Sequence, residues 1–276
     1  MSVVPFPDPQ SGKDLPARDE SDRWSSDAGE TTGGKMSFLE HLDELRKRLI
    51  YSVISLGVGV GIACLFIERV HEFVMRPMQR MLPPGGKLIY TEAPEAFMLY
   101  VRLAIIAGLV IAAPLIMVQV WLFIAPALYQ KERRFAIPFV LLSSIGFIGG
   151  AAFSHYIVFP VMWRFFSSFS NDFIAFMPRI EDAFGLYIKM IVGMALVFQM
   201  PTIVYFLARM GFVTARQMMR YFKYAILGIF IVAAAVAPSP DMGSQFIVAV
   251  PMIGLYLLSA LIALVFGQKR EPEGGM

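Results

Sequence analysis

This chain is predicted to be an all-α integral membrane protein with six transmembrane helices, on three observations. Of its 276 residues 57% are apolar and only 16% charged, a balance far too oily for an ordinary soluble domain. Several apolar runs reach the roughly 20 residues that a helix needs to cross a hydrocarbon core about 30 Å thick. Lysine and arginine collect in alternate short loops, which fixes a topology. The net charge of +3 is too small to imply a nucleic-acid partner. The single cysteine, Cys64, sits inside an apolar run and reads as a small buried residue, which excludes disulfides and metal-thiolate sites.

Residues 1–35 are rich in Pro, Ser, Asp, Glu and Gly and hold too little apolar surface to offset ordering entropy, so they read as a disordered tail. They have no apolar h-region, and no cleavable signal peptide is expected. The six-helix domain is assigned to residues 36–267 and a short second tail to 268–276. At its start, Ser37 and Glu40 have capping-box spacing, and Phe38, Leu42, Leu45 and Leu49 form one stripe opposite Glu40, Glu44 and Arg48. This predicts a short amphipathic helix lying along the interface and feeding the first crossing, 49–67.

A loop of about 30 residues follows, within which HEFVMRPMQRML predicts a short interfacial helix. The second crossing spans 97–125, with Pro114 as a kink and Arg102 snorkelling near its start. The third spans 135–159, has a small-residue face around Gly146, Gly149 and Gly150, and stops at Pro160; 162–182 then forms a mixed aromatic loop. The fourth spans 183–208 and contains Gln199 and Pro201. An amide in hydrocarbon needs a partner, by default a neighbouring helix. Two more apolar segments, 224–237 and 246–266, flank PSPDMGSQ. The first is short for a crossing, so the bilayer thins there or flanking residues snorkel. Asp241 in the turn caps the following helix or has a role that physics alone does not identify.

Orientation follows from the basic residues. Lys35, Arg46, Lys47, Arg48, three in 126–135, four in 208–223 and two after the last crossing share one side. Arg69, Arg76, Arg80, Lys87, Arg164 and Arg179 are spread over the longer loops of the other. Both termini therefore face the cytoplasm.

The three histidines, His41, His71 and His155, lie in different regions and build neither a catalytic triad nor a metal site, so no enzyme and no cofactor is expected. A secondary transporter would show ionisable residues at mid-membrane and repeat symmetry, and neither is evident. WLFIAPALYQKERR, at 121–134, contains one acid, Glu132, among Lys131, Arg133 and Arg134, and Glu44 is expected on the same membrane surface. Such acids are either mutual neutralisers of their basic neighbours or a receptor for an Arg-Arg pair, since each carboxylate accepts a guanidinium as a two-donor fork.

SFLEHLDELRKRL before the first crossing, QVWLFIAPALYQKERR after the second, YIVFP closing the third and PSPDMGSQ before the sixth together resemble TatC, the large subunit of the twin-arginine protein translocase. The resemblance covers about residues 36–266. It implies a cup-like six-helix receptor in the cytoplasmic membrane that binds Arg-Arg signal peptides of folded precursor proteins. It also implies TatA and TatB as partners, a homo-oligomeric complex, export driven by the proton-motive force, and no ATPase. Carried over motif by motif, the signal-binding acids fall on Glu44 and Glu132, with Arg46, Phe123 and Tyr129 as supporting contacts. Pro77 and Asp241 match positions in outward-facing loops. Gln199 departs from the family's F-E-x-P pattern; it keeps polar docking of a partner helix but cannot ionise near neutral pH. A small-solute transporter and a membrane-protein insertase are the competing readings.

Overall fold

The computed structural model describes residues 38–82, 88–124, 136–171, 173–239 and 241–267. Compactness divides the chain between Leu42 and Asp43. Of the first unit only Phe38–Leu42 is described, and it is helical; the packing below belongs to the second. The expected Ser37 cap lies outside the described residues.

α1 (Phe38–Leu65) differs from expectation: from Asp43 to Leu65 it is a single helix, and among the described residues no separate interfacial helix precedes the crossing. No proline occurs there, and the first glycine is Gly57, so the i→i−4 ladder continues from the charged segment into the apolar one. Only 11% of its most apolar stretch is buried within the protein, so α1 is loosely held. Its close approach to the bundle is at Gly59, where an added Cβ would lie 2.4 Å from the Gly108 carbonyl oxygen. Cys64, expected to be buried, is exposed. The outer face of a crossing is apolar because lipid bathes it, so an apolar run does not imply a protein-covered side chain.

α2 (Ile67–Gln79) is amphipathic and seats Val74, Met75 and Met78 on the core. α3 (Glu95–Ile124) buries Leu99, Leu103, Ala104, Gly108 and Ala112 along one face and continues through Pro114. The third crossing is longer than predicted. α4 (Ala136–Phe153) passes through a π turn, Ser154–Val158, into α5 (Phe159–Ser167), so Pro160 does not end it. In this turn the Phe159 amide donates to Ser154 O, five residues back. The wider coil gives the proline ring room against the preceding turn. Trp163, Phe165 and Phe166, assigned to a loop, are therefore helical, and Trp163 is buried.

The segment after α5 crosses to the chain before α3, where the Ile180 amide donates to Ile89 O at 2.8 Å. α6 (Ile180–Val197) is the centre of the bundle, packing against α3, α4, the π turn and α9. Phe184, Met190 and Met194 on it are fully enclosed. The helix breaks at Phe198 and Gln199 and resumes as α7 (Met200–Arg209), with Pro201 in the first turn where no amide is needed. Gly211, at φ 79°, turns the chain toward α8 (Ala215–Arg220), whose start is closed by a Thr214/Gln217 capping box. α9 (Phe222–Val236) and α10 (Met242–Phe266) complete the fold, and α10 packs along α7 and α9. Among the described residues five stretches are long and apolar enough to span a bilayer: Glu40–Leu65, Glu95–Ile124, Ile137–Ser167, Ile180–Arg209 and Met242–Phe266. α9 is apolar but has 15 residues, a length of about 22 Å.

Candidate functional site

Glu44 lies on α1, half-buried, and its Oε1 accepts from Arg48 Nε at 2.8 Å and Nη2 at 2.6 Å, one turn along the helix. Both guanidinium nitrogens converge on one oxygen, so Oε2 is left for another donor. A carboxylate offers about four lone-pair positions, and this bridge occupies two. Arg46 is exposed on the same helix. Phe123 is half-buried in the last turn of α3. Nearby in sequence, the Trp121 ring meets that of Phe139 at 5.0 Å, tilted by 40°, in a small aromatic cluster that also takes in Phe206. Glu132 and Tyr129 lie outside the described residues.

Pro77 sits inside the last turn of α2, within the short helix expected over HEFVMRPMQRML. A proline that near the end of a helix displaces only one backbone bond, and the core contacts of Met75 and Met78 hold the turn. Asp241 caps α10 as expected. Its Oδ1 accepts from the Ser244 amide at 2.7 Å, while Oδ2 accepts the Ser239 and Ser244 hydroxyls. Those hydroxyl bonds and the amide bond pull its carboxyl down to about 2. Gln199, at the α6/α7 break, donates from Nε2 to Ser143 O of α4 at 3.0 Å, the interhelical bond the sequence reading expected. Gly146 lies directly beneath it and lets the two helices approach.

Other polar contacts were not legible in sequence. Glu95, buried at the start of α3, accepts from Arg179 Nη2 at 2.5 Å and from the Thr91 hydroxyl at 3.1 Å. The Glu95 carboxylate raises the Arg179 guanidinium above its ordinary range. Arg102 does not snorkel alone but pairs with Glu181 at 3.0 Å. On the exposed face of α2, the bond from Arg76 holds the Glu72 carboxyl below the usual range. Lys189 and His155 stand well inside candidate spans, contrary to expectation, and His155 Nδ1 lies 2.9 Å from Tyr187 Oη. A histidine in an apolar run was the available signal for the second. The first was masked by its proximity to the acidic start of α6.

Residues 40–251 match the family described as Sec-independent protein translocase protein (TatC). The chain is 40% identical over 239 residues to the protein of that name from Desulforapulum autotrophicum, covering 87% of this chain and 88% of the relative. It is 41% identical over 223 residues to the one from Helicobacter pylori, covering 81% and 87%. A crystal structure described as the twin arginine translocase receptor TatC superposes with a TM-score of 0.71 at 33% identity, covering 81% of this chain and 98% of that one.

Proposed function

The chain belongs to the TatC family and is a multi-pass component of the Sec-independent protein translocase, and from that premise we propose that it is the receptor for twin-arginine signal peptides. The arginine pair of the signal bonds to Glu44 and Glu132, with Arg46, Phe123 and Tyr129 around it, and the apolar part of the signal lies against the bundle. The observation that carries this reading is Glu44, a half-buried carboxylate that already holds one guanidinium and keeps an oxygen for a second. The six crossings, α9 counted as the fifth, form a cup in the cytoplasmic membrane with both termini inside, in keeping with the distribution of basic residues. TatA and TatB dock as membrane helices in a homo-oligomeric complex, Gln199 offers a polar contact in the membrane, and the thin region around α9 is where TatA gathers. Transport draws on the proton-motive force and not on nucleotide hydrolysis.

The test is photocrosslinking from positions 44 and 132 to a folded precursor. Arg-Arg signals should crosslink from both positions, and Lys-Lys signals much less. Equal crosslinking by the two signals would overturn the fork. Movement of a small solute in liposomes by the chain alone would favour a transporter instead, and crosslinks to unfolded nascent chains an insertase.

A further inference from the structure

The largest cavity among those described is a cleft of about 500 Å³ between α2, α3, α4 and α6, which no feature of signal recognition uses. Its walls are apolar, from Leu103 to Ile111 along α3 and at Ala152 on α4, and no carboxylate lines it. Three features break the apolar lining. Arg69 stands at the rim, with a ring contact to Phe66 and no ion pair among the described residues. His155 lines the wall, 4% exposed, its ring stacked on Phe73 at 4.2 Å. Tyr187 is buried behind it.

The Tyr187 hydroxyl has no acceptor other than His155 Nδ1, at 2.9 Å, among the described residues. With the phenol donating to Nδ1, the imidazole proton is on Nε2, which bonds to nothing in the described chain. An N–H that faces an apolar cleft needs an acceptor there. Arg69 and Phe73, on whose ring His155 stacks, are one turn apart on α2, a rise of about 6 Å, so a cation and a donor line the cleft from neighbouring levels.

We propose that this cleft is a binding site for one glycerophospholipid. The phosphate takes Arg69, an ester carbonyl one short step down the molecule accepts from His155 Nε2, and an acyl chain fills the apolar floor toward Ile111. The charge is complementary: the rim supplies a cation with no competing acid, the wall a donor, and the remainder apolar surface. The site does not depend on Glu44 or Glu132 acting as a receptor.

The full chain in nanodiscs, with a trace of phosphatidylethanolamine bearing a diazirine in one acyl chain, tests this. The adduct should map to the cleft around Ala107 and Ala152, and excess unlabelled phosphatidylethanolamine should compete it away. Diacylglycerol with the same diazirine should label the cleft at least about fivefold less, because it lacks the phosphate. Arg69→Gln should lose labelling, Arg69→Lys should keep much of it, and His155→Phe should weaken it. Equal labelling by the two probes, or labelling spread evenly over all lipid-facing helices, would overturn the proposal in the unsubstituted protein, whatever the variants do. Displacement of the probe by a signal peptide and not by phospholipid would overturn it too, by showing the cleft to be a peptide site.

Discussion

Arg179 Nη2 lies 2.5 Å from Glu95 Oε1, joining the residue that caps α6 to the first turn of α3 across 84 positions of sequence. Together with the Ile180 to Ile89 backbone bond, this contact holds the central helix at one end. Glu95→Ala leaves the guanidinium without its acid and opens a polar space at a buried position. Its melting temperature should fall clearly below that of the wild type in detergent. Thr91→Ala, which removes only a supporting hydroxyl, should fall less. Equal melting of all three proteins would mean that the pair is ornamental.

Asp241 gives a pH prediction with a definite sign. Its carboxyl is lower in the folded chain, at about 2, than the unfolded value of about 3.9, so its contribution is present above the latter and lost as the pH falls through the former. Asp241→Ala removes a helix cap and should cost about 1 kcal/mol at neutral pH, with Asp241→Asn milder. The gap between wild type and Asp241→Ala in thermal melts should narrow as pH is taken from neutral toward about 2.

Gln199→Leu removes one interhelical bond and should cost about 0.6 kcal/mol. Gln199→Glu behaves differently, because Ser143 O is an acceptor and only a protonated carboxyl can donate to it. That variant should therefore melt higher at about pH 5 than at about pH 8, while the wild type changes little between them. A pH-independent difference would show that the side chain has turned away from α4.

Arg48 holds Oε1 of Glu44 and neutralises part of its charge, so under the proposed recognition it competes with the signal for that carboxylate even though Oε2 is left. Arg48→Gln should strengthen twin-arginine peptide binding by up to about fivefold, the scale of a solvent-accessible ion pair. Glu44→Gln should weaken binding roughly ten- to a hundredfold through loss of a charge-assisted bond. Isothermal titration with a signal peptide separates the two, and weaker binding in both variants would count against competition.

The glycines of α1 and α3 supply an internal control. A Cβ at Gly108 would lie 2.6 Å from the backbone nitrogen of Val60, whereas Gly57 and Gly61 have nothing within 4 Å. Gly108→Ala should cost about 1 to 3 kcal/mol by overpacking, while Gly57→Ala and Gly61→Ala should be neutral or stabilise by up to about 1 kcal/mol. Melting of the three variants checks this ordering.

The crossings were legible because length and apolarity report directly on a bilayer, and 180–209 and 242–266 fall close to the expected bounds. The cap at Asp241 and the amide bond of Gln199 were legible because each follows from the local demand of one polar group. Pro160 was misread because the rule that proline ends a helix assumes an α coil, and a π turn relaxes it. Glu95 with Arg179, and His155 with Tyr187, join residues 84 and 32 apart, and no periodicity carries such information. The amphipathic stripe before Leu49 predicted a helix correctly but not its direction, since a stripe does not say where a helix bends. Glu132 and Tyr129, the other half of the proposed receptor, lie outside the described residues.

The extra residue in the Ser154–Val158 coil is in effect an insertion that the helix has absorbed. A π turn closes its hydrogen bond over five residues where an α turn closes over four, and the two sweep nearly the same angle, so excising one residue from this stretch would restore ordinary winding and leave everything downstream facing as before. Phe159, Met162 and Trp163 would stay sealed inside the bundle and Val161 outside it. The loss of a single link would thus be felt only on the spot, at Pro160, whose ring would press on the tighter coil that the wider turn now spares it.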